Sequence, residues 1–231
     1  MGGVYVKNTM VEALMQIVAP HLCLGCVKIG APVCTNCKYN ITSEPFSGCI
    51  LCGKHSSEGI CVEHDSGVCK AWVVGKRYGM LKDTLNAYKF QYVKAAAHSL
   101  SDMLNTVLPL LPSDTIIVPV PTAAGHIRER GYDHINILAR LLAKSRNIQV
   151  VQILSRSSST TQHRLNRVNR QQEASKTFFI NPAISISLST PVLLLDDIIT
   201  TGSTITAAAH VLAEAGVETI MVAALAYQTL D

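Results

Sequence analysis

Cysteine is missing from most of this chain: all eight lie between Cys23 and Cys69, and none follows. Aromatic residues make up only 5% and charged residues 16%. No run approaches the roughly 18 apolar residues that a membrane span requires, so membrane insertion is not expected. Val11–Pro20 is partly apolar, but Glu12 and Gln16 interrupt it and no small-residue cleavage site follows. The expected location is therefore the cytoplasm. In that reducing compartment clustered cysteines argue for metal rather than disulfides. Acids are missing between Asp133 and Glu173, a span that holds Arg140, Lys144, Arg146, Arg156, Arg164, Arg167 and Arg170. Such a stretch is either a solvated basic face or a surface for phosphate or nucleic acid. No glycine-rich run ends in Gly-Lys-Ser or Gly-Lys-Thr, which excludes a P-loop.

What remains is rich in Ala, Val, Ile and Leu. Hydrophobic residues reach 48% of 231, enough for one full-sized core plus a small appendage. The composition changes near residue 70, which suggests a Cys-rich module over 1–70 and a larger domain over 71–231. The module is too short to bury a core alone. The spacing predicts a helix over 9–18 and a strand over 71–79. Helices follow over 81–88 and 94–108, then a strand over 115–120 and a helix over 133–145. Further strands are expected over 149–154, 192–195 and 218–226, with a helix over 203–215 before the last. Alternating strands and helices imply a parallel α/β sheet, whose ligands sit outside the carboxyl ends of the strands.

The segment PVLLLDDIITTGSTITAAAHVL (191–212) is the most informative. An apolar strand leads to two carboxylates, Asp196 and Asp197. A threonine-rich turn follows, and then a helix. A loop entering a helix offers unpaired backbone N–H groups and the positive end of the helix dipole, a cradle for phosphate. Gly202 allows close approach, and Thr200, Thr201, Ser203 and Thr204 add hydroxyl donors. Two acids would repel bare phosphate but would accept hydrogen bonds from ribose hydroxyls, so a sugar phosphate is the expected ligand.

A second segment, VPVPTAAGHIRERGYDHINILA (118–139), leaves a strand through a Pro-rich turn and supplies Arg128 and Arg130, candidates for pyrophosphate or for a solvated helix start. Asp133 suits the N-cap of the next helix. The polar stretch 156–174 is long enough to act as a flap that closes over a ligand, with Gln162, Arg164 and Arg170 as its candidate contacts. No general base stands out, and His163 carries no clear role.

The cysteines form knuckles. CLGC (23–26) and CTNC (34–37) complete a tetrahedral zinc site of Cys23, Cys26, Cys34 and Cys37. CILC (49–52) and CVEH (61–64) suggest a second site of Cys49, Cys52, Cys61 and His64, with His55 and Cys69 as competing ligands.

LLLDDIITTGST resembles the phosphoribosyl-pyrophosphate fingerprint of type I phosphoribosyltransferases. The knuckles, the YKF at 88–90, VPVP…RERGYDHIN and TTQHRLNRVNR extend that likeness over nearly the whole chain to the ComF family of competence proteins. Members often carry a fourth CxxC where CVEH stands here. The resemblance implies a type I phosphoribosyltransferase-like parallel sheet flanked by helices, with a small N-terminal zinc-ribbon module. It implies ribose contact by Asp196 and Asp197, 5-phosphate contact by residues 200–204, structural Zn²⁺, and Mg²⁺ accompanying phosphoribosyl pyrophosphate. It further implies a role in DNA uptake, with single-stranded DNA and uptake-machinery proteins as partners. The alternative is an active phosphoribosyltransferase of unknown acceptor.

Overall fold

The computed structural model describes residues 21–64, 66–91, 93–156, 177–184 and 186–229. At its centre lies a five-stranded parallel sheet of β3 (Lys70–Lys76), β4 (Ile116–Pro119), β5 (Gln149–Val150), β8 (Val192–Ile199) and β9 (Ile220–Tyr227), in the order β3-β9-β8-β4-β5. The apolar run Val192–Leu195 makes β8 central because it is buried on both faces, and β9 is buried at every position. Side chains alternate between two cores. Leu193 and Leu195 face one, while Val192 and Leu194 face the other.

Helices α2 (Gly79–Phe90), α3 (Ala96–Val107) and α5 (His134–Arg146) cover the first face through Leu81, Leu85, Leu100, Leu104, Leu138 and Leu142. Helix α6 (Ser203–Glu214) covers the second through Ala208 and Leu212, beside the hairpin of β6 (Leu154–Arg156) and β7 (Phe178–Ile180). The short α4 (Ala124–Arg130) follows β4 and ends at Gly131, whose φ of 72° closes it in the left-handed region. Among the described residues no helix is long and apolar enough to cross a membrane.

The cysteine segment is built into this body. A small ribbon of β1 (His21–Leu22) and β2 (Ile29–Gly30) precedes α1 (Thr35–Thr42). Cys23, Val33 and Cys37 join the first core, whereas Ile50 and Val68 join the second. The segment thus straddles edge strand β3: the Phe46 N–H donates to Val73 O at 3.2 Å, and the Ala71 N–H to Glu58 O at 2.8 Å.

Most expected elements are present with ends shifted by a few residues. Two differ for physical reasons. Strand β8 continues through the acid pair to Ile199, because β9 supplies ladder partners as far as Tyr227. The expected strand 149–154 splits: Val151 still donates to Ile117 O, after which the chain leaves the sheet to pair Leu154–Arg156 with β7. The helix expected over 9–18 lies outside the described residues.

Candidate functional site

Chain direction creates the crevice. From β4 the chain moves outward to β5, and from β8 it moves the opposite way to β9, so the loops leaving these neighbouring strands part. The β4 loop brings Pro121 and Thr122, and the β8 loop brings Thr204, to a cavity of about 270 Å³ with Asp196 and Asp197 in its floor. A larger cavity of about 530 Å³ adjoins it, sharing Thr122 and Arg156 and adding Arg128, Asp133 and Gln152.

The two acids have different surroundings. Asp197 is 6% exposed, and its Oδ2 lies 2.5 Å from both Lys89 Nζ and His134 Nε2. Arg130 NH1 lies 3.0 Å from His134 Nδ1. The same NH1 lies 3.3 Å from Nε2, so it is the Asp197 carboxylate, which only accepts when ionised, that calls for a proton on Nε2. Burial alone would raise the Asp197 carboxyl, but the His134 hydrogen bond and the Lys89 ammonium outweigh it and hold the group well below the usual carboxylate range. Asp196 is only partly buried and has no cation within bonding distance among the described residues. Burial, then the charge of Asp197, pushes it up to about 7. Its Oδ1 accepts the Asp197 N–H at 2.8 Å. One acid is therefore ionised and held, and the other faces the cavity near its titration point.

A second tier supports the buried pair. The Tyr88 hydroxyl donates to His134 O at 2.8 Å, and the Tyr132 hydroxyl donates to Tyr88 O. Arg130 lies over the Phe90 ring, 5.3 Å from its centroid. Arg130 is 8% exposed, whereas Arg128 is exposed on the rim of the larger cavity. The two candidate arginines thus occupy different environments.

In the β8 loop, Gly202 is buried with φ 71° and caps α6, its carbonyl accepting the Thr206 N–H at 2.9 Å. The first-turn amides precede that bond and have no intrahelical acceptor. Thr200, Thr201, Ser203 and Thr204 are exposed, and the Thr201 hydroxyl donates to Ser203 Oγ at 2.9 Å. Gln162, Arg164 and Arg170 lie outside the described residues. Asp133 caps α5 by accepting the Asn136 N–H at 3.2 Å.

The cysteines gather as two groups, Cys23/Cys26/Cys34/Cys37 and Cys49/Cys52/Cys61/His64, with all ligand atoms of each group within 4.8 Å of one another. Cys26 and Cys34 sulfurs lie 3.6 Å apart, and Cys52 and Cys61 sulfurs 3.7 Å. A disulfide needs about 2.05 Å. A tetrahedron of zinc–sulfur bonds near 2.3 Å puts sulfurs about 3.8 Å apart, so the spacing fits a metal. His64 Nε2 is buried with no hydrogen-bond partner among the described residues. Cys69 instead donates to Ile220 O at 3.1 Å. Without a cation the thiols diverge. Against the cost of burial, backbone amides lower Cys23 to about 6, while burial and neighbouring sulfurs push Cys37 up to about 12 and Cys61 to about 11. A bound cation would draw all of them to thiolate.

Comparison with known proteins bears on the larger domain and on most of the chain. The phosphoribosyl transferase domain family matches residues 127–229. Competence protein F of Haemophilus influenzae is 28% identical over 209 residues, covering 84% of this chain and 90% of its own. Competence protein ComFC of Bacillus subtilis is 23% identical over 203 residues, covering 80% and 79%. The chain is thus similar, over most of its length, to competence proteins of the ComF type.

Three side chains of this site escaped the reading by spacing: Lys89, His134 and Arg156. Two left a trace. Leu81, Leu85 and Lys89 recur every four residues, as do His134, Leu138 and Leu142. Each series is a buried helical stripe ending in a polar residue, and a polar residue on such a stripe needs a partner. Arg156 was visible only as one member of the basic stretch.

Proposed function

We propose that this ComF-like protein binds phosphoribosyl pyrophosphate, or a related sugar phosphate, in the crevice between residues 120–123 and 200–204, and that it acts in DNA uptake during natural transformation. The observation that carries the reading is the convergence of the α6 N-terminus with a cavity-facing Asp196 at a switch point of the sheet. The first-turn amides and the hydroxyls of residues 200–204 would take the 5-phosphate, and Asp196 would accept from the ribose hydroxyls. Asp197 supports that role from below, since its carboxylate is engaged by Lys89 and His134. Mg²⁺, which favours carboxylate and phosphate oxygens, would find Asp196 as the open carboxylate. Zinc would close both cysteine groups. Single-stranded DNA and proteins of the uptake machinery are the proposed partners, and the cytoplasm the proposed location.

Calorimetry with phosphoribosyl pyrophosphate, with and without Mg²⁺, tests the ligand. Binding that vanishes in Asp196→Ala supports it, and absence of binding to the wild type rejects it. Single-stranded DNA affinity that does not fall with salt would reject the DNA arm.

Catalytic phosphoribosyl transfer is the second reading. It is favoured by the larger adjoining cavity, where Arg128 and Arg156 flank room for a pyrophosphate leaving group. Pyrophosphate release that disappears in Arg128→Ala is the expected sign.

A further inference from the structure

The anion loop does not stand free on its own strand. A methyl group built on Gly202 would lie 2.1 Å from Leu51 Cδ2 and 3.1 Å from Ile50 O. The turn therefore sits directly against the tip of the second knuckle, and glycine is called for by its φ of 71° and by the closeness of the Ile50 carbonyl. Leu51 stands between the metal-ligand candidates Cys49 and Cys52. Its N–H points to Cys49 Sγ at 3.5 Å, and the knuckle closes through Gly53 N–H to Cys49 O at 2.8 Å and Cys49 N–H to Lys54 O at 2.7 Å.

The same knuckle grips the other side of the loop. The ring of Tyr227, the last residue of β9, stacks on Phe46 at 4.3 Å, and a methyl on Gly53 would lie 3.1 Å from the Tyr227 hydroxyl. The next residue, Gln228, donates to Ile199 O at 2.8 Å, where β8 ends and the loop begins. The first cysteine group packs elsewhere. A methyl on Gly25 would meet Met80, Lys38 pairs with Asp102 at 2.6 Å, and Val33 O accepts from Ser99 at 3.4 Å. Those contacts belong to α2 and α3.

We propose that Leu51 is a positioning residue for the anion loop: metal held by Cys49, Cys52, Cys61 and His64 sets the knuckle, and the knuckle holds Gly202 and the first turn of α6 in their binding geometry. The second metal group thereby controls sugar-phosphate affinity, while the first serves the fold. The affinity part rests on the reading under Proposed function; the loop-ordering part does not. The segment 47–64 has few apolar anchors of its own, chiefly Ile50, Leu51 and Ile60, so the ligands are what keep its tip in place.

The test uses the full zinc-loaded chain, with phosphoribosyl pyrophosphate as the probe and two readouts: calorimetric affinity, and amide hydrogen exchange at residues 200–205 against the core of β8. Leu51→Ala keeps every ligand, so its metal content should equal the wild type. Its affinity should fall about tenfold, the scale of a coupling mutation, with faster exchange confined to the loop. Leu51→Met, which conserves volume, should restore both. Cys52→Ser should lose one metal ion and show the same loss of affinity and faster loop exchange as Leu51→Ala, and Cys26→Ser should leave loop exchange unchanged. Wild-type exchange at 200–205 in Leu51→Ala, or equal loosening by Cys26→Ser, overturns the proposal. If the wild type binds no phosphoribosyl pyrophosphate, the ligand reading fails, and loop exchange still decides the role of Leu51.

Discussion

At the scale of single residues, the acid pair carries the sharpest consequences. The folded Asp197 carboxyl sits below the unfolded value of about 3.9, so the folded state releases its proton first. The stability this provides is complete above that value and is lost progressively as pH falls from it through the lower folded value. Lys89→Met removes a buried partner and should cost about 3 kcal/mol, read from the urea midpoint at neutral pH. It should also flatten the acid limb of the stability curve, while adding Asp197→Leu should recover part of the loss. Asp196 behaves in the opposite way. With its carboxyl pushed up to about 7, it is largely protonated at pH 6 and ionised at pH 8. If ribose hydroxyls need the carboxylate, affinity for phosphoribosyl pyrophosphate should rise about tenfold across that interval. Asp196→Asn should remove that rise while retaining the ligand's own titration, and the difference between the two profiles is the measurement. None of this asymmetry was legible in the adjacent letters of Asp196 and Asp197. It is created by His134, 63 positions away in sequence, and by Lys89 from a third element.

At the scale of elements, local signals were read well and junctions less so. The Asp133 cap and the strand–acid–threonine–helix order are properties of neighbouring residues, and both are visible in the sequence. The length of β8 was not, because acids look like a strand end until β9 is known to run beside them. The basic stretch shows the same limit. By sequence Arg146 belongs to either a solvated basic face or a surface for phosphate or nucleic acid, yet its guanidinium donates to Asn105 O, Leu108 O and Pro109 O at 2.9, 2.7 and 2.6 Å. It closes the carboxyl end of α3, where carbonyls lack helical partners. Arg146→Ala should therefore cost about 2 kcal/mol in thermal or urea unfolding and leave ligand affinity unchanged. A loss of nucleic-acid binding without a loss of stability would assign it to the surface instead.

At the scale of the molecule, the cysteine groups belong to the sheet they accompany, one to each core. Elemental analysis should find two zinc ions per chain, matching the two groups, and one after Cys52→Ser. Acidification should release both, since ligands must give up protons to bind metal. The knuckle spacing made these groups legible early. Their placement on opposite faces was not, because it depends on how residues 44–70 wrap around β3.

That wrapping closes off one route of assembly. Strand β3 is the sheet's long outer border, and Phe46 and Glu58 already occupy the Val73 carbonyl and the Ala71 amide on its free side. The opposite border, β5, is only two residues long. Loaded with metal, the Ala71–Val73 stretch of this border, among the described residues, is already engaged by the chain itself rather than open to another chain's backbone. Stripped of metal, the covering loosens and the apolar ribbon Ala71–Val74 becomes available for self-pairing. Light scattering should then grow with chelator dose and reverse when zinc is restored early.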